Sequence, residues 1–268
     1  MSASDRLEEA RTAYVKGDLR AAAAAHAPER IARAAREEHG GVGHQYIGEF
    51  VYGGLDGIVT TFAVVSGVAG AQLGASVVLI LGLANLLADG FSMAVGSYLS
   101  TKSEQEYYAR ERQREAWEIE HFPQGELAEM IEIYRARGYS EEEARQLMAI
   151  QSRDPERWVK VMMVEELGLL EDERNPLLNG LATLVAFIVA GAVPLSIYLL
   201  GLLVPIAPAV AFPVSLVLSG AALFGLGAAK VLITRMNPLR SGLEMLAVGG
   251  LAALLAYVVG ALLKNIGA

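Results

Sequence analysis

The sequence contains no cysteine. This absence excludes disulfide bonds, thiolate metal sites and cysteine nucleophiles. The first forty residues lack the basic start, apolar run and small-residue cleavage site of a secretory signal peptide, so we expect no removable leader. The formal net charge is −8 and there is no basic stripe, which argues against nucleic-acid binding.

Charged residues are scarce over two long parts of the chain. Hydrophobic residues make up 53% of the sequence, yet 22 residues are basic and 30 are acidic. Seven of the acidic residues precede residue 40, nineteen lie between Glu104 and Glu173, and four lie elsewhere. A soluble domain would mix charged and apolar residues throughout its length. The chain therefore has one polar segment between two apolar blocks.

The apolar blocks contain five stretches long enough to cross a membrane, because ~20 helical residues span a hydrocarbon core of ~30 Å. These predicted spans are 47–71, 73–99, 177–200, 209–233 and 243–263. The predicted fold is all-α, with five transmembrane helices and a helical domain inserted between helices 2 and 3. We divide the chain into a polar N-terminal segment (1–44), helices 1 and 2 (45–99), the insert (100–173) and helices 3 to 5 (174–268).

The basic residues predict the orientation, because cytoplasmic segments are enriched in Lys and Arg. Seven lie in the N-terminal segment, eleven lie between Lys102 and Arg174, and three flank the connection between the fourth and fifth spans. The N-terminus, the insert and that connection should be cytoplasmic. Lys264, after the last span, is the single basic residue that does not fit this scheme.

Local signals divide the insert into helices. Phe122-Pro123 should end the first, and Ser140 with Glu143 forms a capping box before a short connecting helix. Asp154-Pro155 supplies a cap and a first-turn proline for the last. The main helices are predicted at 101–120, 125–136 and 156–169.

Four glutamates form an acidic stripe on the first helix of the insert. At 100° per residue they fall within about 60° of one another, and like charges on one helix face are destabilising unless a cation neutralises them. A solvated acidic face, relieved by neighbouring arginines, is the alternative interpretation. The stripe consists of Glu104, Glu111, Glu115 and Glu118.

The last helix of the insert carries Met162 and Glu166, four residues apart. A thioether beside a carboxylate suits a borderline divalent transition metal better than Mg²⁺ or Ca²⁺, which prefer oxygen ligands alone. Methionine is also an ordinary core residue. The pair is therefore a candidate metal site or part of a core.

Five polar or sulfur-bearing residues lie in the first two spans. Glu49 and Asp56 are seven residues apart on the first, and Asn85, Asp89 and Met93 follow one another at intervals of four on the second. A charge at bilayer depth costs at least ~2.5 kcal/mol and usually marks a path for ions. At ~1.5 Å per residue, Asp56 and Asp89 lie ~12–14 Å from the cytoplasmic ends and Met93 ~8 Å. These groups are predicted to converge, although a buried structural aspartate is the alternative.

Four motifs, in order over about residues 45–265, resemble those of the vacuolar iron transporter family. They are GGLDGIVT from Gly53, SMA from Ser92, KSE from Lys102 and MMVEELG from Met162. The resemblance implies a homodimer in a prokaryotic cell membrane or a vacuolar membrane. It also implies export of cytoplasmic Fe²⁺, and often Mn²⁺, in exchange for protons along a path at the dimer interface.

The resemblance assigns roles to individual residues. Asp56 and Met93 resemble the intramembrane metal ligands. The residues that resemble the cytoplasmic metal-collecting set are Glu104, Glu115, Glu118, Met162 and Glu166, to which the stripe adds Glu111. Glu49, Asn85 and Asp89 are added to the predicted path from their positions in the spans. Ser97 departs from the family pattern, since many members carry a glutamate there.

Fe²⁺, Mn²⁺ or Zn²⁺ should therefore bind as substrate, and we expect no prosthetic group and no enzymatic activity. Two other functions are considered. A membrane-anchored di-iron oxidase needs Glu-x-x-His on each of two helices, and Glu118–His121 is the only match in the acidic segment. A metal sensor that does not transport would have little use for Asp56 and Met93 at bilayer depth.

Overall fold

The structure is a computed structural model that describes residues 3–34, 42–230 and 237–264. All elements in these ranges are α-helices. They are α1 (Ala3–Lys16), α2 (Leu19–Ala25), α3 (Pro28–Ala34), α4 (Val42–Gly70), α5 (Ala75–His121), α6 (Pro123–Ala136), α7 (Glu141–Gln151), α8 (Pro155–Glu165), α9 (Pro176–Leu200), α10 (Pro208–Ala229) and α11 (Pro238–Leu263).

Five of these helices, α4, α5, α9, α10 and α11, are long and apolar enough to cross a membrane. This finding confirms the predicted number of spans. The last span begins five residues earlier than predicted, because the Asn237 side chain caps α11 by accepting hydrogen bonds from the N–H groups of Leu239 and Arg240. The predicted end of the fourth span, at residue 233, lies outside the described residues.

The second span does not end at residue 99 as predicted, because α5 continues without a break for 47 residues. No proline interrupts this stretch, and Lys, Glu, Gln and Arg after Leu99 favour helix. At ~1.5 Å per residue, α5 is ~70 Å long, about twice what a bilayer core requires. The predicted boundary between this span and the first helix of the insert is therefore absent.

The chain forms two compact units, of which the first comprises Met1–Leu87 and Val185–Ala268. Its core contains Ile58 and Phe62 of α4, Leu223 of α10 and Ala253 of α11. Glycines allow close helix crossings in this unit. A Cβ at Gly57 would overlap the Phe187 carbonyl oxygen of α9. Helices with such small residues can bring their backbones together without side chains between them.

The N-terminal helices α1, α2 and α3 also belong to the first unit. Arg30 of α3 forms an ion pair with Glu9 of α1, and the Asp18 side chain caps α2. These helices lie in the segment predicted as polar and N-terminal, residues 1–44. Residues 35–41 of that segment are outside the described residues.

The second unit comprises Ala88–Leu184. The predicted capping box of Ser140 and Glu143 opens α7, and Asp154 caps α8 as expected. The last insert helix is shorter than predicted and ends at Glu165 rather than residue 169. Gly168 has a φ of 64°, and the Leu169 N–H donates to the Met163 carbonyl oxygen at 2.8 Å, so the chain turns out of the helix there.

We predict that Gly57→Ala destabilises the full-length protein by about 1–3 kcal/mol, because the added methyl group forces α4 and α9 apart. Gly48→Ala on the same helix is the control, since a Cβ there meets nothing within 4 Å. The control should be neutral, or stabilising by up to about 1 kcal/mol through helix propensity. Thermal unfolding in detergent measures both variants, and equal melting temperatures would contradict the close crossing.

Candidate metal site

Five glutamates of the second unit lie close together. One carboxylate oxygen from each of Glu115, Glu118 and Glu126 lies within 4.8 Å of the other two, and the same holds for Glu126, Glu129 and Glu166. Glu126 belongs to both groups, so the five residues form one continuous set. We call this set the carboxylate cluster.

The turn between α5 and α6 brings these residues together. Glu115 and Glu118 occupy the last two turns of α5, and Glu126 and Glu129 occupy the first two turns of α6. Pro123 begins α6, and the Phe122 N–H still donates to the Glu118 carbonyl oxygen at 2.7 Å, so the two helix ends stay adjacent. Side chains three apart share a helix face, so each helix contributes a pair.

Burial and hydrogen bonding set this cluster apart from an ordinary acidic surface. The Glu115 side chain is fully buried and Glu126 is 8% exposed. Three buried carboxylate oxygens of the cluster accept no hydrogen bond from the described residues. They are both oxygens of Glu115 and the Oε2 of Glu166. Arg114 Nη2 lies 2.5 Å from Glu115 Oε1 as an ion pair, and Arg114 also pairs with Glu118. Buried carboxylates are costly, and one guanidinium does not balance five of them, so the cluster requires protons or a further cation.

Electrostatics in the cluster favour protonation when no cation is present. Burial, followed by repulsion from Glu166, raises the pKa of Glu115 to about 7, against the opposing effect of Arg114. Burial is also the main cause of the raised pKa of Glu126 and of Glu166, and neighbouring glutamates add to both shifts. Perturbed carboxylates grouped in this way are typical of functional sites.

An apolar core belongs to the same unit. Met162 and Met163 of α8 and Met130 of α6 are fully buried in one hydrophobic cluster with Ile119 of α5. The Glu166 N–H donates to the Met162 carbonyl oxygen at 3.0 Å, so these two residues are one helical turn apart, as predicted. The core role of Met162 is evident, and its role as a metal ligand stays a prediction.

The other two glutamates of the predicted stripe lie outside both carboxylate groups. The Glu104 side chain is 59% exposed, accepts a hydrogen bond from Ser100 Oγ at 3.2 Å and lies 3.9 Å from Arg174. Glu111 accepts hydrogen bonds from Arg110 and Arg114, which lower its pKa. Arginines thus relieve the stripe at Glu111, whereas Glu115 and Glu118 join the cluster.

Sequence reasoning missed Glu126 and Glu129. The available signal was a repeated Glu-x-x-Glu pattern, at Glu115–Glu118 and again at Glu126–Glu129, on either side of a helix-ending proline. That pattern predicts two carboxylate pairs that face each other across a tight helical turn.

The predicted path residues are distributed over both units. In the first unit, Glu49 and Asp56 on α4 are half-buried, and Asp56 precedes the close crossing at Gly57. Asn85 is half-buried too, and its Nδ2 has no hydrogen-bond partner among the described residues. Asp89 and Met93 belong to the second unit and are half-buried. The convergence of these groups stays a prediction.

Ser97, which stands where many family members carry glutamate, lies in a neutral hydrogen-bond network of the second unit. Asn179 Nδ2 donates to Ser97 Oγ at 3.0 Å and to Thr101 Oγ1 at 2.8 Å. Thr183 Oγ1 lies 3.2 Å from Ser97 Oγ. Asn179 and Thr183 are buried. Neutral side chains therefore join α5 to α9 at this level.

No histidine belongs to either of the carboxylate groups found in the described part of the chain. The His121 ring is exposed and stacked on Trp117 with a centroid distance of 4.4 Å, and its Nδ1 lies 2.8 Å from the Trp117 carbonyl oxygen. The one Glu-x-x-His match therefore does not contribute a ligand set of the di-iron oxidase type.

We predict that the metal-free protein loses stability as the pH rises from about 4.5 through about 7, because the folded state favours protonated Glu115. The Glu115→Gln variant should lose less stability over this pH range. At pH ~8 its free energy of unfolding should exceed that of the wild type by about 2 kcal/mol. The two should converge near pH ~5, where Glu115 is protonated in the native wild type. Thermal unfolding in detergent with a chelator measures this, and a wild-type curve independent of pH would contradict it.

Comparison with known proteins extends the resemblance seen in the sequence. A model of the VIT family matches residues 47–261. A Toxoplasma gondii protein named vacuolar iron transporter is 39% identical over 269 residues, which cover 96% of this chain and 88% of that protein. A Plasmodium berghei protein of the same name is 34% identical over 97% of each chain.

An Arabidopsis thaliana protein named vacuolar iron transporter 1 is 34% identical, over 82% of this chain and 87% of its own length. These relatives are named as transporters, which agrees with the expectation that this chain is not an enzyme. The family match includes all of the spans except Tyr46 at the start of the first and the last two residues of the fifth. From this match and these identities, the chain belongs to the VIT family.

Proposed function

We propose that this membrane protein moves Fe²⁺, and also Mn²⁺, out of the cytoplasm in exchange for protons. Membership of the VIT family supports metal-ion transport, and the relatives are named as iron transporters. The observation that carries the proposal is the carboxylate cluster, in which buried glutamate oxygens lack hydrogen bonds. A divalent cation supplies the missing partner.

The composition of the cluster favours two adjacent metal ions. Its two groups of three carboxylates share Glu126, which can bridge two ions. Two divalent cations carry four positive charges, and Arg114 supplies a fifth, so together they balance the five carboxylates. An oxygen-rich set with a thioether one turn from Glu166 suits Fe²⁺, Mn²⁺ or Zn²⁺. We infer that these ions bind as substrates.

We infer that the insert is cytoplasmic and collects metal for transport. Eleven basic residues between Lys102 and Arg174, against none in the connections between the first and second and between the third and fourth spans, support that orientation. The raised pKa of Glu115, about 7, means that metal competes with a proton for this carboxylate near neutral pH. Such competition keeps binding reversible, which a collecting site needs.

In the membrane, we assign the metal–proton exchange to Asp56, with Met93 as a soft ligand. A carboxylate at bilayer depth is stable when protonated, partnered or facing water. An arriving divalent ion favours the ionised form and displaces the proton. The neutral partners of Ser97 support this assignment, because the position that is often glutamate in the family has no titrating group here. Glu49, Asn85 and Asp89 complete the proposed path, at the interface of a homodimer in a prokaryotic cell membrane or a vacuolar membrane.

We predict that Glu126→Gln weakens binding of Mn²⁺ by the full-length protein at least tenfold, because Glu126 belongs to both carboxylate groups. Glu132→Gln on the same helix is the control, since Glu132 is exposed and pairs with Arg135. Isothermal calorimetry measures both variants, and flux into liposomes should fall for Glu126→Gln at limiting metal but recover at high metal. Equal affinity in the two variants would show that the cluster is not a metal site.

We predict that Asp56→Asn abolishes metal flux and the linked proton movement while the protein stays folded. Asparagine keeps the size and hydrogen bonding of aspartate but cannot exchange a proton for a metal ion. Met93→Leu keeps the volume and loses the sulfur, so it should lower metal affinity more than proton coupling. Liposomes loaded with a pH-sensitive dye and exposed to a metal gradient report both quantities.

Asp89→Asn is the matched comparison on α5. If Asp56→Asn still moves metal with proton counterflow, Asp56 is structural and coupling belongs to Glu49 or Asp89. Metal binding without flux in the wild type would instead indicate a sensor. Oxygen consumption by the iron-loaded protein would indicate an oxidase.

A further inference from the structure

The first unit contains a cavity of about 750 Å³, and none of the proposed path residues lines it. It lies where α4 connects to α5 and where α9 connects to α10. Its lining is mostly apolar and includes Leu73, Leu79, Ile197 and Ile206. A half-open apolar cavity of this size accommodates a ligand of several hundred Å³.

Aromatic residues also line this cavity. Phe212 of α10 and Tyr257 of α11 are stacked with a centroid distance of 5.9 Å, and Tyr198 of α9 is buried beside them in the lining. Tyrosine rings are enriched where lipid headgroups meet hydrocarbon. Their presence at the ends of membrane-spanning helices places the cavity at the level where a lipid has both its headgroup and the start of its acyl chains.

The Lys264 ammonium group lies at the edge of the cavity. Lys264 Nζ donates to Gln72 Oε1 at 2.7 Å, and Gln72 is part of the cavity lining. Within residues 3–34, 42–230 and 237–264, no carboxylate forms an ion pair with Lys264. Lys264 is also the one basic residue that the cytoplasmic charge pattern does not explain.

The backbone at Gln72 is a second unusual feature. Gln72 has a φ of 58°, in the left-handed region, just after α4 ends at Gly70. Glycine normally occupies such a position, since other residues are strained there. The side-chain amide of Gln72 holds Lys264, which gives a reason for a residue other than glycine at this point.

From these observations we propose that the cavity binds an anionic phospholipid. One acyl chain fills the apolar cavity, and the Lys264 ammonium pairs with the phosphate while Gln72 keeps the lysine at the rim. Lysines near helix ends reach headgroups in this way, and attraction to an anionic lipid surface is worth ~1 kcal/mol per lysine. A zwitterionic lipid has the same chains but carries no net charge to complement Lys264.

The test uses the full-length protein in neutral detergent, with native mass spectrometry to count bound lipids. Phosphatidylglycerol should bind about fivefold more tightly than phosphatidylcholine with the same acyl chains, the ratio expected for one lysine. Lys264→Gln should remove that preference. Arg240→Gln is the matched control, because Arg240 is exposed on α11 and paired with Glu244 at 3.3 Å, and it should keep the preference.

Two further variants distinguish the contribution of the cavity to lipid binding from the contribution of the Lys264 charge. Ala209→Trp fills the cavity and should weaken both lipids alike, since Ala209 lines it. Gln72→Gly relaxes the backbone and removes the amide, so the protein should stay folded and lose part of its preference. Glycerol phosphate, which has no acyl chain, should not compete.

Equal affinity for the two lipids in the wild type would overturn the proposal, as would a preference that survives Lys264→Gln. Unchanged lipid binding in Ala209→Trp would place the lipid elsewhere. If Ala209→Trp instead lowers the oligomeric mass without changing lipid binding, a second copy of the chain covers the cavity and the lipid proposal is wrong.

Discussion

The central physical constraint in this protein is the cost of holding carboxylates together away from water. In the second unit, Glu115 is fully buried and both of its oxygens lack hydrogen bonds among the described residues. Arg114 is paired with Glu115 and Glu118, but one guanidinium cannot balance five carboxylates. The cluster therefore has more negative than positive charge, and protons or metal ions must balance the difference. In the same unit, the turn at Pro123 brings the ends of α5 and α6 together, beside a methionine-rich core to which both helices contribute.

The first unit meets a different constraint, which is close packing of helices where apolar surface gives little driving force between them. The helices of this unit meet through backbone contacts. At Gly57 of α4, for example, a Cβ would overlap the Phe187 carbonyl oxygen. Another such crossing lies at Gly67, where a Cβ on Gly260 of α11 would overlap the Gly67 carbonyl oxygen. Dispersion contacts at these crossings replace the hydrophobic effect that stabilises soluble cores. Because Asp56 is next to Gly57, the same crossing fixes the backbone from which its carboxylate extends.

The sequence predicted those features that depend on local or one-dimensional signals. The five apolar spans, the capping box at Ser140 and the cap at Asp154 depend on length, hydropathy and neighbouring residues, and the structure contains all of them. The continuity of α5 is not evident from the sequence, because the change from apolar to charged residues suggests a helix boundary although helix propensity does not change there. Glu126 and Glu129 were missed because their partners are on another helix, and only the turn at Pro123 brings them together. Helical periodicity alone does not show which glutamates of an acidic face are buried, so it groups Glu104 and Glu111 with Glu115.

The hydrogen-bond network around Ser97 joins α5 to α9 through polar side chains that carry no charge. Asn179, which is 2% exposed, donates to Ser97 and Thr101, and its Oδ1 has no hydrogen-bond partner among the described residues. These groups are neutral, so they connect α5 to α9 without the desolvation cost of a buried charge. They also attract a divalent ion far more weakly than a carboxylate does.

Conduction requires that an ion leave each site as well as enter it. If metal passes Met93, a neutral network one turn away at Ser97 holds the helix in place without adding a second strong site that would retain the ion. The second unit thus keeps the neutral side chains that join α5 to α9 apart from the carboxylate cluster, to which we assign cation binding.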